Sequence, residues 1–376
     1  MNHQDEISDP DYSGILYECI RGTFRQIFGI IRRDPTLLKP AVRMFSAQRR
    51  ASSRREALAR EGVQVPAVLM VSPTHRCNLS CVGCYMQHLH QSPASEMSRD
   101  QLITLAEECQ DLGISFLVFA GGEPLIRKDD ILLLAEKIPD IPIAVFTNGL
   151  MIDADLAARF SRRKNLIPIM SMEGDKEKTD ARRSEGVFAS VLHACSLLRD
   201  QRVFFGCSIT VTRSNFTEVT GSSFINQMIQ SGCRLFVYVA YVPFADGTHD
   251  QVLTDLHHKN LNRFIETFSD FYPAVSIGFP GDEERFGGCL SAGRGFLHVS
   301  PSGDLEPCPA APLSDVNITR MPLRDALKSE FLARIRSNHS MLTESGGGCA
   351  LWVHREWAES VLTQSSKPLL GTHQNE

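Results

Sequence analysis

Three cysteines, Cys77, Cys81 and Cys84, fall within the run His75-Arg76-Cys77-Asn78-Leu79-Ser80-Cys81-Val82-Gly83-Cys84-Tyr85, with three and then two residues between them. Thiolates so closely spaced bind a soft metal centre. A [4Fe–4S] cube takes four ligands, usually four cysteines, so a loop offering three leaves one iron open to a substrate or cofactor. A structural zinc ion is the alternative, and His75, His88 and His90 are near enough in sequence to complete its shell.

Further groups along the chain have the chemistry of a ligand site. In Gly121-Gly122-Glu123-Pro124, two glycines let the backbone pass close to a ligand, and a carboxylate follows that can accept from an ammonium group. Thr147-Asn148-Gly149 and Ser171-Met172-Glu173-Gly174 come next, then Asp180-Ala181-Arg182-Arg183 and Gly186-Val187-Phe188. The planar fork of Arg183 suits a carboxylate. A solvated charged turn is the alternative there, and Arg182 competes for the same role. In the tail, Cys289, Cys308 and Cys349 form a second thiol set, with Gly303 between the first two and Gly346-Gly347-Gly348 before the third.

These residues need elements that bring them together. Residues 14–60 carry apolar side chains at helical spacing, from Ile15 to Ile31, interrupted by Pro35 and Pro40 and resumed over 37–60. From residue 66 the pattern becomes alternating strands and helices. Strands are expected at 67–72, 115–120, 143–147, 167–172, 203–212 and 235–241. Helices are expected from the capping box at Ser98 and Gln101 to Leu112, and at 129–138, 153–161, 186–199, 220–231 and 261–271. Short apolar strands alternating with helices imply a parallel sheet, and periodicity alone allows a partial barrel or a doubly wound sheet. Residues 296–300 and 304–306 flank Pro301-Ser302-Gly303 and read as a β-hairpin that brings Cys289 and Cys308 together. Cys109, Cys195, Cys207 and Cys233 sit on apolar faces or in strands and read as core thiols, as does Cys19 on the N-terminal stripe.

The composition narrows the class. Of 376 residues, 43% are hydrophobic and 22% charged, which is ordinary for a globular chain with a sizeable core. No apolar run is long enough to span a bilayer, and the polar start is unlike a signal peptide. Eleven cysteines in that setting point to a reducing compartment and to metal or thiol chemistry rather than disulfides, hence to the cytoplasm. The net charge of −5 conceals a strongly basic segment, residues 21–60, where only Asp34 and Glu56 oppose eleven cations. A basic amphipathic segment either packs on the acidic body, with its arginines outward, or meets an anionic surface such as a membrane. No nucleic-acid-binding motif is present.

The spacing Cys-x3-Cys-x2-Cys followed by an aromatic, together with GGEP, TNG and the Asp-x-x-Arg…Gly-x-Phe frame, resembles the radical S-adenosylmethionine (SAM) superfamily. That resemblance covers roughly residues 65–350. It implies a partial (β/α)6 TIM-like barrel with the site at the C-terminal ends of the strands. It implies a SAM-binding [4Fe–4S] cluster on Cys77, Cys81 and Cys84. The SAM site would take in Tyr85, Gly121, Gly122, Glu123, Pro124, Asn148, Ser171, Glu173 and Arg183, with Glu123 toward the SAM ammonium and Arg183 toward its carboxylate. Glu173 stands where the family more often has Asp. The tail resembles the SPASM and twitch auxiliary-cluster regions, but three cysteines in place of seven imply one auxiliary [4Fe–4S] cluster, on Cys289, Cys308 and Cys349, with its fourth ligand open. The domains expected are 1–62, a basic helical extension; 63–272, the radical SAM core; and 273–376, the auxiliary-cluster region. The activity implied is reductive cleavage of SAM to a 5′-deoxyadenosyl radical that takes hydrogen from a peptide, lipid or small molecule. The reductant would be a flavodoxin or ferredoxin. The contrasting reading is a non-catalytic metal- or redox-binding module built on the same cysteines.

Overall fold

Every apolar run expected as a strand between residues 67 and 241 forms one. In the computed structural model, which describes residues 38–90, 95–279, 288–342 and 349–365, these are β1 (Val68–Val71), β2 (Phe116–Phe119), β3 (Ile143–Thr147), β4 (Leu166–Met172), β5 (Gly206–Val211) and β6 (Leu235–Ala240). Each pairs in parallel with the next. The crossovers are helices, chiefly Arg99–Leu112, Lys128–Lys137, Ala154–Ser161, Val187–Asp200 and Ser222–Gln230. Their ends follow local chemistry. The hydroxyl of Ser98 accepts from the Gln101 N–H and the Gln101 side chain returns the bond, and Gly113 closes the same helix at φ 85°, a conformation open to glycine. Cys109, Cys195, Cys207 and Cys233 are fully buried in the apolar core, as expected.

The sheet is larger than six strands. β7 (Val275–Phe279) adds in parallel beside β6. As an edge strand it leaves Ile277 and Phe279 exposed, so its apolar signal is weak. On the other side β8 (Phe296–Val299) pairs in parallel with β1, and β9 (Leu305–Glu306) returns antiparallel to β8 as the expected hairpin. The order is β7-β6-β5-β4-β3-β2-β1-β8-β9. β7 and β9 do not meet, so the result is a curled, open half-barrel rather than a closed one. The tail is thereby joined through its hairpin to the strand that feeds the first cysteine loop. Short helices follow, among them Glu330–Ser337, Ala350–Val353 and Arg355–Ser365.

The expected helical region of residues 14–60 is described only from Leu38, where one helix runs to Arg60; residues 14–37, with Cys19, lie outside the described residues. The expectation that its arginines all face outward is corrected. Arg55 points inward and donates through Nη1 to the Gly113 carbonyl (2.5 Å) and the Ser115 hydroxyl (2.7 Å). Burial pulls its guanidinium down to about 10. Arg43 and Arg50 both reach Asp140, and Gln48 donates to the Ser115 carbonyl. The cause is electrostatic: a basic helix meets exposed carbonyls and an aspartate just ahead of β2 and β3. This contact is at the N-terminal ends of the strands, away from the site. Arg55→Ala is therefore expected to destabilise the chain by about 2 kcal/mol, the scale of hydrogen bonds to a charged group, while leaving SAM affinity unchanged. Urea unfolding and ligand titration of the variant measure the two.

Candidate active site

The chemistry-bearing residues lie where the parallel strands end. β1 leads through Ser72-Pro73-Thr74 into the cysteine loop. Cys77 is exposed, and Cys81 and Cys84 are half-buried. Burial raises the thiols of Cys77 and Cys81, and in both cases the neighbouring thiols raise them further. The three sulfurs are near enough to influence one another, yet they do not gather within 4.8 Å, a grouping that among the described residues only His90, His298 and Glu306 make. A single tetrahedral zinc ion would draw its sulfurs to within about 3.8 Å, given a Zn–S bond near 2.3 Å. Two of the nearby imidazoles have Nε2 engaged elsewhere: His75 Nε2 meets the His90 carbonyl, and His90 Nε2 meets the Pro309 carbonyl. A wide, three-thiol donor set fits a multi-iron cube better than one zinc ion.

β2 ends in the two glycines. Gly121 has φ 105°, and a Cβ on Gly122 would run into the Arg76 carbonyl, so the turn is pressed against the cysteine loop and requires glycine. The Gly122 and Glu123 N–H groups donate to the carbonyls of Thr74 and Arg76, and the Gly121 N–H donates to the Tyr85 hydroxyl (3.1 Å). Pro124 opens a short 3-10 turn, Pro124–Arg127. Glu123 is 1% exposed. Its carboxylate accepts from Leu125 N–H (2.9 Å), the Thr147 hydroxyl (2.7 Å) and Asn148 N–H (2.9 Å). Burial raises its carboxyl, and these donors partly offset the rise. Glu123 thus fastens the end of β2 to the end of β3, and most of its acceptor capacity is taken. Asn148 also donates from Nδ2 to Asn78 Oδ1 (2.7 Å) inside the cysteine loop.

β4 ends in Ser171, half-buried, and Glu173, 2% exposed. The carboxylate of Glu173, whose role its place in the sequence left open, is held by two arginines. Arg183 grips it with Nε and Nη2, each at 2.7 Å, and Arg182 Nη1 adds a third contact at 2.7 Å. A carboxylate sealed from water needs a cation, and two adjacent arginines supply it. Burial opposes ionisation of Glu173, but the arginines outweigh it and hold its carboxyl below the ordinary range. Arg183 is buried, its charge reinforced by Glu173 and by the nearby Cys81 and Cys84 thiols. Two guanidinium groups against one carboxylate leave a net positive charge beside Cys81, where both arginines favour the thiolate. Arg182 further joins the helix Lys176–Arg183 to the cysteine loop, since it donates to the Val82 carbonyl and accepts from the Val82 N–H.

The tail thiols converge as well. Cys308 is hydrogen-bonded to Cys349, and its thiol is raised first by that bond, with burial and Cys289 adding to it. Beside Cys289 the Ser291 N–H reaches its sulfur (3.5 Å), while the buried Ser291 hydroxyl has no partner among the described residues. An orphaned hydroxyl next to three gathered thiols suits a cluster that would occupy the space between them.

Sequence reasoning missed Thr147, Asn78 and the part played by Arg182 as a second counter-charge. Thr147 and Asn78 stand inside motifs read for their neighbours. Arg182 appeared only as a rival to Arg183, whereas both act on one carboxylate.

Comparison with known proteins agrees with this geometry. Residues 71–218 match the model of the Radical SAM superfamily. The chain is 24% identical over 310 residues to the AdoMet-dependent heme synthase of Methanosarcina barkeri, covering 75% of this chain and 88% of that protein. It is 26% identical over 269 residues to the mycofactocin maturase MftC of Mycolicibacterium smegmatis, covering 66% of each. Among solved structures, Streptococcus suis SuiB bound to S-adenosylmethionine superimposes with a TM-score of 0.62 at 16% identity, over 85% of this chain and 78% of that one. This structural likeness concerns the fold.

Proposed function

Because residues 71–218 match the Radical SAM superfamily, we propose that this chain is an oxidoreductase whose SAM site is the one assembled from β1 to β4. The observation that carries this reading is the convergence of three widely set thiols, a glycine turn pressed against them and a buried arginine pair of net positive charge. A [4Fe–4S] cluster held there with one iron open would supply the one-electron reduction of bound SAM on which hydrogen abstraction from a substrate depends.

The residues divide the remaining work. Cys77, Cys81 and Cys84 would hold the cluster. Arg183 Nη1 takes no protein partner among the described residues, so it is the atom offered to the SAM carboxylate while Nε and Nη2 stay locked on Glu173. Glu123 fixes the Gly121-Gly122 turn, so the ammonium of SAM would be received by that turn, with one acceptor position of Glu123 behind it. Tyr85, Pro124, Asn148 and Ser171 line or brace the same strand ends. Cys289, Cys308 and Cys349 would hold one auxiliary cluster. With two clusters in place, an electron lost by the substrate has an acceptor inside the protein.

An external reductant is required, and a small acidic carrier such as flavodoxin or ferredoxin is the partner we propose. No helix among the described residues is long and apolar enough to cross a membrane. Contact with an anionic membrane would fall to the basic segment 21–60. Of its described arginines, Arg43, Arg50, Arg54 and Arg55 are already engaged with the body of the protein.

The reading is tested by SAM binding. In the reduced, reconstituted protein, SAM should change the electron paramagnetic resonance spectrum of the cluster. Glu123→Ala removes the tie between β2 and β3 and should weaken SAM binding at least about tenfold, by analogy with the loss of supporting contacts around a metal site. An unaltered spectrum on adding SAM would overturn the proposal, and unchanged affinity in the variant would remove Glu123 from the site.

A further inference from the structure

One set of buried side chains lies outside the two cysteine groups and has no part in the reading above. His90, His298 and Glu306 are 8%, 0% and 4% exposed, and each brings one ligand-type atom within 4.8 Å of the other two. Folding assembles them from separate places. His90 ends the short helix Tyr85–Leu89 that follows the first cysteine loop. His298 and Glu306 face each other across the β8–β9 hairpin, with Nδ1 of the imidazole 2.6 Å from Oε2 of the carboxylate. The two imidazoles meet edge to face, with ring centroids 5.6 Å apart.

Their outer contacts resemble those of metal-binding histidines. The Pro309 carbonyl lies 2.9 Å from His90 Nε2. A carbonyl only accepts, so Nε2 carries the hydrogen and Nδ1 keeps the lone pair. On His298, Nε2 is 2.8 Å from the Ser72 hydroxyl and Nδ1 shares a hydrogen with the Glu306 carboxyl, which a metal would displace, since ligands lose their protons on binding. His90, with one ring nitrogen held by a carbonyl and the other left basic, is set as metal-binding imidazoles are. Two imidazoles and one carboxylate suit zinc or ferrous iron; calcium and magnesium prefer all-oxygen shells.

We propose that His90, His298 and Glu306 form a third metal site, which takes a single divalent transition-metal ion. Its place in the fold gives it a structural task. It would clamp the segment after Cys84 to the hairpin before Cys308, and so fix the distance between the two cysteine groups. His90 already contacts the residue after Cys308, and His298 already contacts Ser72 at the head of the first loop. The ion would convert this weak tie into a rigid one.

The test uses holoenzyme reconstituted anaerobically with its full iron content, then equilibrated with zinc chloride and freed of excess metal. The expected result is one zinc per chain beyond the iron, with a zinc-edge X-ray absorption spectrum dominated by nitrogen and oxygen at about 2.0–2.1 Å. Glu306→Gln and His90→Gln should each lower zinc affinity at least about tenfold while retaining iron. Absence of zinc in the wild type, or sulfur ligation at about 2.3 Å, would overturn the proposal. So would undiminished zinc binding in both variants. The wild-type spectrum decides the matter even if a variant fails to fold.

Discussion

Replacing Cys77, Cys81 and Cys84 together with alanine should abolish reductive cleavage of SAM and leave about half the iron. The expected wild-type content is about eight irons, from two cubes of four. The proposed SAM site lies at the cube on the first loop, beside the glycine turn and Arg183, so product formation should fall to background rather than to a fraction. The auxiliary set on Cys289, Cys308 and Cys349 stands apart and should keep about four irons. The folded barrel should survive, since these thiols are exposed or half-buried and contribute little to the core. Iron analysis and product chromatography on the same preparation read both halves. Iron near four in the wild type would limit the protein to one cluster.

The second large effect concerns Glu173. Glu173→Gln removes the one carboxylate that both Arg182 and Arg183 grip and leaves two largely buried guanidinium groups without their counter-charge. Breaking a buried ion pair from one side costs about 3–5 kcal/mol, and here the loss is at the upper end because two cations share the partner. Chemical denaturation measures it. The same contact sets a pH dependence. The folded-state carboxyl of Glu173 is held below its ordinary value of 4.5. Its stabilising contribution is therefore complete above that value and is lost as the pH falls through the lower, folded value. Wild-type stability should drop below about pH 4.5 through this group, and Glu173→Gln should flatten that part of the profile. Because Arg183 loses its anchor, SAM affinity should fall as well; a variant with native stability would show that the arginines find another partner.

The parts legible in the sequence share one property: the residues that matter are close together along the chain. The cysteine loop, the Gly-Gly-Glu turn and the capping box at Ser98 are local, and the alternation of short strands with helices is a repeated local pattern. The parts that escaped depend on distant pairing. β7 is an edge strand in which Ile277 and Phe279 face solvent and only Val275 of its apolar side chains is buried, so period-2 burial never develops. The parallel pairing of β8 with β1 links residues more than two hundred positions apart, and nothing in either strand names its partner. The His90–His298–Glu306 group depends on that pairing and was invisible for the same reason. Arg55 misled because an arginine in a basic helix is normally a solvated face, and only the carbonyl of Gly113 beneath it shows otherwise. The ion pairs of Glu173 were not legible because its partners are charged residues nine and ten positions later, in a helix whose orientation the sequence does not give.

The account stands most directly on one measurement. The wild-type chain is reconstituted anaerobically with iron and sulfide, reduced with dithionite and incubated with SAM, and 5′-deoxyadenosine is quantified against a protein-free control. The arrangement of Cys77, Cys81 and Cys84 beside the glycine turn and Arg183 predicts that 5′-deoxyadenosine accumulates above the control. A protein with its full iron content that binds SAM and forms none would contradict the account and return the cysteines to a non-catalytic, metal-binding role.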